Sequence, residues 1–116
     1  MLFRSNAVWV AGPQGRRTIE VSRSTNGAWG APVTYSNPQR DADLPRIAAS
    51  GDDDVAVAWI EADGGRWTPM ARVDDSGRLR PARVLGPAAA SIPQITVTAG
   101  GAERGAVAWT AVDGGA

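Results

Sequence analysis

Three tryptophans at a constant spacing limit what this chain can fold into more than any other feature. Trp9, Trp59 and Trp109 lie 50 residues apart, each within a short apolar run. Asp63 and Asp113 each begin an Asp-Gly-Gly triplet, again 50 residues apart. A repeat of this period predicts an architecture in which similar supersecondary units stack on one another.

The residues between these anchors indicate β-structure. The 116 residues include 14 glycines and 8 prolines, which interrupt the chain at short intervals and leave short or alternating apolar runs between them. We predict four strands in the best-defined unit, at residues 46–50, 54–61, 66–74 and 79–85, with turns at 51–54, 63–65 and 75–77. The second strand is apolar on both faces, as expected for a strand covered on both sides by neighbouring sheets.

Four short antiparallel strands in about 50 residues are typical of a propeller blade. The predicted fold is all-β, with antiparallel four-stranded β-propeller-type blades in about two repeats, forming a single partial propeller domain over residues 1–116. The units are approximately 1–44 (incomplete), 45–92 (complete) and 93–116 (incomplete). A solenoid of three-stranded repeats is the alternative architecture.

The predicted order of strands leaves one strand in excess. The first unit contributes its second, third and fourth strands, the complete unit contributes all four, and the last unit contributes its first and second strands. This makes nine strands. The strands around Val8 and Val107 are copies of the same second strand. Two complete blades cannot close a ring, and an open stack of sheets leaves apolar faces exposed.

Composition excludes several classes of function. Twelve basic and twelve acidic residues give a net charge of 0, which argues against nucleic acid or an anionic membrane as a partner. The chain has no cysteine and no histidine, so disulfides, thiolate metal sites and a Ser-His-Asp mechanism cannot be built from it. No apolar run approaches the ~20 residues that span a bilayer.

The first residues lack the apolar core of a signal peptide. This leaves two alternatives for the compartment. Either the protein is cytoplasmic, or the parent protein is secreted by a signal that lies outside these residues.

The order of motifs resembles a known family. This order is similar to that of the bacterial neuraminidase repeats of sialidase-type β-propellers. It consists of Val-Ala-Trp, Asp-Gly-Gly, an alternating strand, a turn with glycine, then Trp or Leu, and a proline. The turns at 24–29 and 74–79 resemble the Asp-box of that family in contracted form, with Asn26 and Ser76 at the place of the boxed aspartate. The resemblance implies a propeller and a structural role for these turns.

The resemblance does not extend to a catalytic set. Sialidases of this shape use an arginine triad, a Tyr–Glu pair and an aspartate acid/base. No arginine in this chain matches the triad, and Tyr35 does not map onto the nucleophile. We therefore assign no catalytic, cofactor-binding or metal-binding residue.

The aromatic residues are predicted to serve mainly the core. Trp9, Trp59 and Trp109 occupy the same place in successive units, which favours burial between blades over service as sugar-stacking platforms. Trp29 and Trp67 lie at strand edges, where partial exposure is expected.

Three groups of charged residues are candidates for chemistry, and each has a structural interpretation that we favour. Acidic clusters that could attract Ca²⁺ are expected to be structural or solvated; they are Asp52, Asp53 and Asp54, and Asp74 with Asp75. Carboxylate pairs of the glycosidase type are Asp41 with Asp43 and Glu61 with Asp63. Arginines on an outer strand are expected to keep that strand soluble; they are Arg78, Arg80 and Arg83.

The loop at 36–44 is the first place to look for function, because loops on rigid scaffolds carry binding residues. Its counterpart at 86–92 is rich in alanine. The predicted function is a non-catalytic β-propeller segment that acts as a binding or structural module for a glycan or protein ligand, without a cofactor. The alternatives are a fragment of a sialidase-like glycoside hydrolase and a short-chain propeller that self-assembles. The predicted partners are a carbohydrate or protein ligand, and either further copies of the chain in a homo-oligomer or missing neighbouring blades.

Overall fold

The computed structural model describes residues 4–49, 54–75, 77–90, 94–100 and 103–110. Within these ranges the chain forms antiparallel strands, turns and bends and no helix, so the prediction of an all-β fold is confirmed. The described residues accordingly provide no apolar helix that could cross a membrane.

The first sheet is formed by the N-terminal strands. β1 (Arg4–Ala11) pairs with β2 (Thr18–Thr25), and β2 pairs in turn with two short strands, β3 (Ala28–Trp29) and β4 (Val33–Thr34). In this register Trp9 lies opposite Glu20. Side chains directly opposite each other in an antiparallel pair share a face, so this pairing defines which residues the two faces carry.

The second sheet contains five strands and the third contains two. β5 (Ala42–Ala49), β6 (Val55–Asp63) and β7 (Arg66–Asp75) pair in order, and β8 (Arg78–Leu79) and β9 (Arg83–Val84) both pair with β7. β10 (Gln94–Gly100) and β11 (Glu103–Thr110) form the third sheet. Trp59 lies opposite Met70.

The outer strand differs from the prediction. Residues 79–85 were expected to form one strand, whereas the sheet has two strands of two residues, β8 and β9, on either side of Pro81. Proline has no N–H to donate to the ladder and interrupts it. Pro32 separates β3 from β4 in the same way. These two strands, at residues 28–29 and 33–34, lie 50 positions before their counterparts at 78–79 and 83–84 in the second sheet.

The first strand of the second sheet begins earlier than predicted. β5 starts at Ala42 instead of residue 46, so the end of the predicted loop at 36–44 belongs to the sheet. The pairing of β5 with β6 shifts register between Asp43 and Arg46. Leu44 has a φ of 53° there, and this irregularity accommodates Pro45, because a bulge is one of the few places where a sheet tolerates proline.

β6 lies at the centre of the molecule and is buried on both faces. Val55, Val57 and Trp59 pack against the first sheet, in a cluster that includes Ile19 and Val21. The opposite face carries other fully buried residues, Ala56, Ala58 and Ile60. The first sheet contacts β5 through β1 and β2, whereas the third sheet contacts β5, β6 and β7. The second sheet is therefore sandwiched between the other two, as the apolar pattern of β6 predicts.

The turn between β6 and β7 depends on two glycines. Gly64 and Gly65 have φ values of 58° and 83°, as a two-residue hairpin turn requires. We expect Gly65→Ala to lower the free energy of unfolding by about 1–2 kcal/mol, because a Cβ disfavours the left-handed region. Gly30→Ala is the control, since its Cβ would meet only Arg23 O at 3.5 Å. Urea denaturation of both variants measures the difference, and equal losses would contradict the expectation.

Candidate functional site

The loop before β5 is held to the start of β2 by one arginine. Arg17 donates hydrogen bonds to Asp41 Oδ1 from its backbone nitrogen at 2.8 Å and from Nε at 2.9 Å, and to Asp41 Oδ2 from Nη2 at 2.7 Å. Its Nη1 donates to Asp43 Oδ2 at 3.0 Å. The backbone nitrogen of Ala42 donates to Arg17 O at 3.0 Å. We call Arg17, Asp41 and Asp43 the arginine clamp.

The arginine clamp shifts the pKa values of Arg17 and Asp41 in opposite directions. Hydrogen bonds from Arg17 hold the pKa of the Asp41 carboxyl below its usual value, and Asp41 in turn raises the pKa of the guanidinium. A carboxylate stabilised in this way is a weak base and is not protonated near neutral pH. The clamp therefore joins the start of β2 to β5, and both carboxylates of this candidate pair accept hydrogen bonds from Arg17.

A second buried network surrounds Glu61. Trp59 Nε1 donates to Glu61 Oε2 at 2.7 Å, and the backbone nitrogen of Asn37 donates to the same oxygen at 3.2 Å. Trp59 and Glu61 lie two residues apart on one face of β6, and both are buried. The proposed partner of Glu61 in a glycosidase pair, Asp63, ends β6, and its side chain lies outside the described residues.

An open cleft of about 640 Å³ lies where the loop after β4 meets the outer strands of the second sheet. Its polar lining includes Asn37, Arg40, Glu61 and Arg72. Its apolar lining includes Val84, which is 63% exposed. A concave site of this size, apolar in part and with a few polar groups, is typical of a small-ligand site.

Arg72 connects the wall of this cleft to the first sheet. Its Nη1 donates to Tyr35 O at 3.2 Å, and its Nε donates to Arg80 O at 2.7 Å. The guanidinium carbon lies 5.8 Å from the centroid of the Tyr35 ring, within the range of a cation–π contact. Burial raises the pKa of the Tyr35 hydroxyl. Tyr35 is therefore held as a neutral, structural part of the cleft.

The tryptophans do not share one environment. Trp59 is fully buried, which confirms its place in the core, but Trp9 is 36% exposed, so the prediction of burial is wrong for Trp9 in this chain. The face of the first sheet that carries Trp9 has no neighbouring sheet among the described residues. Trp29 is 56% exposed and Trp67 is half-buried, as predicted for strand edges. The side chain of Trp109 lies outside the described residues.

The acidic residues after β7 have structural partners. Asp74 Oδ1 accepts a hydrogen bond from the backbone nitrogen of Gly77 at 2.7 Å, and Asp75 forms an ion pair with Arg80 at 3.3 Å. Asp52 and Asp53 lie outside the described residues, whereas Asp54 is buried. Within the described ranges, no group of three or more acidic side chains is arranged to hold a metal ion.

Arg78 and Arg83 are exposed in the short outer strands. This location agrees with the polar outer surface that was predicted for them.

The sequence did not single out Arg17, Arg72 or Arg40. The sequence does show a difference at position 17. The equivalent residue of the next unit, 50 positions later, is Trp67, so the two units carry an arginine and a tryptophan at the same place. In the second unit the corresponding contact includes a pair of backbone hydrogen bonds. Trp67 and Ala89 exchange two hydrogen bonds of 2.8 and 2.9 Å.

Compared with protein-family models, with curated proteins and with solved structures, the chain matches none.

Proposed function

We propose that this chain is a non-catalytic segment of a β-propeller-type protein and serves as a binding module. Support for blades comes from the face-to-face stacking of antiparallel sheets around β6. Further support comes from the short outer strands, which begin at residues 28 and 33 in the first sheet and at 78 and 83 in the second. The units at 1–44, 45–92 and 93–116 are the blades and part-blades of this proposal.

The cleft between the first and second sheets carries the proposed binding function. Its volume of about 640 Å³ lies within the range of small-ligand sites. Arg40 is exposed and Arg72 half-buried, while Glu61 is buried and accepts hydrogen bonds from Trp59 and Asn37. The charged residues that line the cleft are therefore two arginines and one carboxylate, and Val84 adds an accessible apolar surface. An acidic carbohydrate, with a carboxylate and apolar ring faces, has the chemistry that this lining would bind.

A binding role agrees with the state of the carboxylates. Asp41 and Asp43 are both bonded to Arg17, and Glu61 is bonded to an indole and a backbone nitrogen. General acid catalysis needs a carboxyl group that is protonated near the working pH. The arginine clamp moves Asp41 away from that state, because hydrogen bonds from Arg17 lower the pKa of its carboxyl.

Calorimetric titration with acidic and neutral oligosaccharides of matched length tests the proposal. We expect binding of the acidic series only, and an approximately tenfold loss of affinity in Arg40→Ala, equivalent to about 1.4 kcal/mol. Arg46→Ala is the matched control, since Arg46 is exposed in β5 and does not line the cleft. Absence of binding, or equal effects of the two variants, would overturn the proposal.

A fragment of a sialidase-like hydrolase is the second candidate. The observation in its favour is that one cleft is lined by Tyr35, Glu61 and two arginines, which are residue types used by such enzymes. Hydrolysis of a fluorogenic sialoside by the purified chain, abolished in Glu61→Gln, would establish this candidate in place of the binding module. We expect no turnover by the unmodified chain.

A further inference from the structure

Glu61 brings a buried carboxylate to the cleft and keeps one of its two oxygens without a protein hydrogen bond. The residue is 3% exposed, and it lines the cleft. Trp59 Nε1 and the backbone nitrogen of Asn37 both donate to Oε2, at 2.7 and 3.2 Å. No group of the described residues donates to Oε1. Because a carboxylate offers about four lone-pair positions over its two oxygens, Oε1 keeps its full capacity to accept hydrogen bonds.

This oxygen opens into the cleft. Among the described residues, every side-chain oxygen or nitrogen that is shielded from solvent has a hydrogen-bond partner. Glu61 Oε1 has none, so it is in contact with solvent although the residue as a whole is buried. The cleft is the solvent-filled space that Glu61 lines. A ligand in the cleft can therefore reach Oε1.

Thr68 places a hydroxyl beside this oxygen. It lies directly opposite Glu61 in the pairing of β6 with β7, and the Cβ atoms of such a pair are about 4.5–5.5 Å apart. Thr68 is 8% exposed and also lines the cleft. Its hydroxyl has no hydrogen-bond partner among the described residues, so by the same reasoning it is open to the cleft. A carboxylate oxygen that accepts and a hydroxyl that donates and accepts suit the hydroxyl groups of a ligand.

The carboxylate of Glu61 is not part of the repeated pattern. The residues 50 positions before and after Glu61 are both alanines, Ala11 and Ala111. The repeat by itself therefore does not account for a carboxylate at this place. The bonds that tie Glu61 to the protein use Oε2 alone, so they do not account for the position of Oε1 at the cleft either.

The hydroxyl of Thr68 differs from that of its counterpart in the first unit. Thr18 lies 50 positions before Thr68, and its hydroxyl donates to Glu20 at 2.7 Å. Met70 stands in the second unit where Glu20 stands in the first. Thr68 accordingly lacks the acceptor that Thr18 has, and its hydroxyl remains available to a ligand.

We propose that Glu61 Oε1 and the Thr68 hydroxyl form a subsite that binds hydroxyl groups of the ligand, so that the cleft selects a carbohydrate over a carboxylic acid without hydroxyls. The inference rests on the function proposed above, in which the ligand is an acidic carbohydrate. Glu61 and Thr68 are buried, whereas Arg40 and Val84 are exposed, so this hydroxyl subsite lies in the deeper part of the cleft. A site built to bond a hydroxyl rejects an analogue that lacks it, because its buried polar groups are then left unpaired.

Arg72 lies apart from the hydroxyl subsite on the same strand. Thr68, Met70 and Arg72 alternate along β7, share one of its faces and all line the cleft. Four residues of strand separate Thr68 from Arg72 by about 13 Å. A ligand that spans the cleft therefore places its carboxylate and its bound hydroxyls at separate points, with Met70 between them as an apolar contact for a ring face.

A cation does not suit the hydroxyl subsite. Ca²⁺ takes about 6–8 oxygen ligands, and within the described ranges no group of three or more acidic side chains is arranged to hold a metal ion. Arg40 and Arg72 line the same cleft and repel a positive charge. A neutral hydroxyl needs only one acceptor and meets no repulsion.

Two acidic trisaccharides with the same carboxylates test the inference. One is the trisaccharide of galacturonic acid, and the other is its O-methylated form, in which the hydroxyls can no longer donate while the carboxylates stay free. Calorimetric titration of the unmodified chain is expected to give at least tenfold tighter binding of the free trisaccharide, since a hydrogen bond to a charged group contributes that much or more.

Glu61→Gln and Thr68→Val separate the hydroxyl subsite from the shape of the cleft. The amide oxygen of Gln can still accept from Trp59 and Asn37, which turns an NH₂ group in place of Oε1 toward the cleft. We expect an approximately tenfold loss of affinity for the free trisaccharide in Glu61→Gln and a threefold or larger loss in Thr68→Val, with little change for the O-methylated form. Thr34→Val is the matched control, because Thr34 is exposed and does not line the cleft, and we expect it to bind like the unmodified chain.

The outcomes distinguish this inference from the function on which it rests. Binding of both trisaccharides with equal affinity, or equal losses for both in Glu61→Gln and Thr68→Val, would overturn the hydroxyl subsite and leave the acidic ligand in place. Failure of the unmodified chain to bind either trisaccharide overturns the proposed function and the hydroxyl subsite together. Urea denaturation of each variant shows that it is folded, and Thr68→Val carries the test if Glu61→Gln is not.

Discussion

Trp59→Ala is expected to lower the free energy of unfolding by about 3–5 kcal/mol, the usual cost of removing a fully buried tryptophan. The side chain is 0% exposed and packs among Val55, Val57 and Ile19. Its truncation leaves a cavity at the centre of the molecule and deprives the buried carboxylate of Glu61 of the indole N–H at 2.7 Å. Because a small domain is stable by only about 5–15 kcal/mol, this one change removes a large part of the total.

The matched control for this variant is Trp9→Ala. Trp9 occupies the same place in the sequence pattern, but it is 36% exposed, so we expect a smaller loss of about 1–2 kcal/mol. Urea denaturation, extrapolated to water, measures both values. Trp59→Phe serves if the alanine variant fails to fold, with an expected loss of about 2 kcal/mol from the missing hydrogen bond and smaller ring. Similar losses for Trp9→Ala and Trp59→Ala would contradict the assignment of the core.

Arg17→Ala is expected to lower the free energy of unfolding by about 2–3 kcal/mol. The change removes the three hydrogen bonds that the guanidinium donates and leaves Asp41 and Asp43 without that cation. A hydrogen bond to an ionised partner contributes about 1.5–3 kcal/mol. Because the clamp is partly exposed, we expect its three bonds together to contribute no more than the upper part of that range. Arg16→Ala is the control, because Arg16 is exposed and precedes Arg17 directly.

The difference in the free energy of unfolding between Arg17→Ala and the unmodified chain is expected to depend on pH. The pKa of Asp41 lies below its ordinary value of 3.8 in the folded chain, so the folded state binds fewer protons than the unfolded state around that pH. The contribution of the clamp is therefore complete above about pH 5 and declines as the pH falls through 3.8 toward the lower folded pKa. We expect the stability difference between Arg17→Ala and the unmodified chain to narrow below pH 4. A difference independent of pH between 2 and 7 would contradict this account.

Much of the fold could be predicted from local patterns. The predicted bounds of β6 and β7 lie within two residues of the observed ones, because the continuous apolar run of β6 and the Asp-Gly-Gly turn after it are local properties of the sequence. The prediction of one outer strand did not take account of Pro81, which divides it. A short ladder ends before this proline and resumes two residues after it. β5 began early because a bulge at Leu44 allows the sheet to continue past Pro45.

The site was less predictable, for a different physical reason. Arg17 and Asp41 are 24 residues apart, and nothing local indicates that the start of β2 meets the loop before β5. Burial at the repeated tryptophans depends on whether a neighbouring sheet covers them. The same pattern therefore gives a buried Trp59 and an exposed Trp9. Periodicity identifies positions that are equivalent in sequence, but only the assembled stack determines their environment.

The two connections between neighbouring sheets are held by different kinds of hydrogen bond. The loop that leads to β5 is held by the arginine clamp and by a backbone bond from Ala42 to Arg17. The loop after β9 is held by the mutual backbone bonds of Trp67 and Ala89 and by a longer bond from Arg66 to Ala88 O. Backbone bonds do not titrate, whereas the carboxylate of Asp41 does. Acid is therefore expected to loosen the connection before β5 first, and single substitutions at position 17 or 41 weaken that connection while the Trp67–Ala89 pair stays intact.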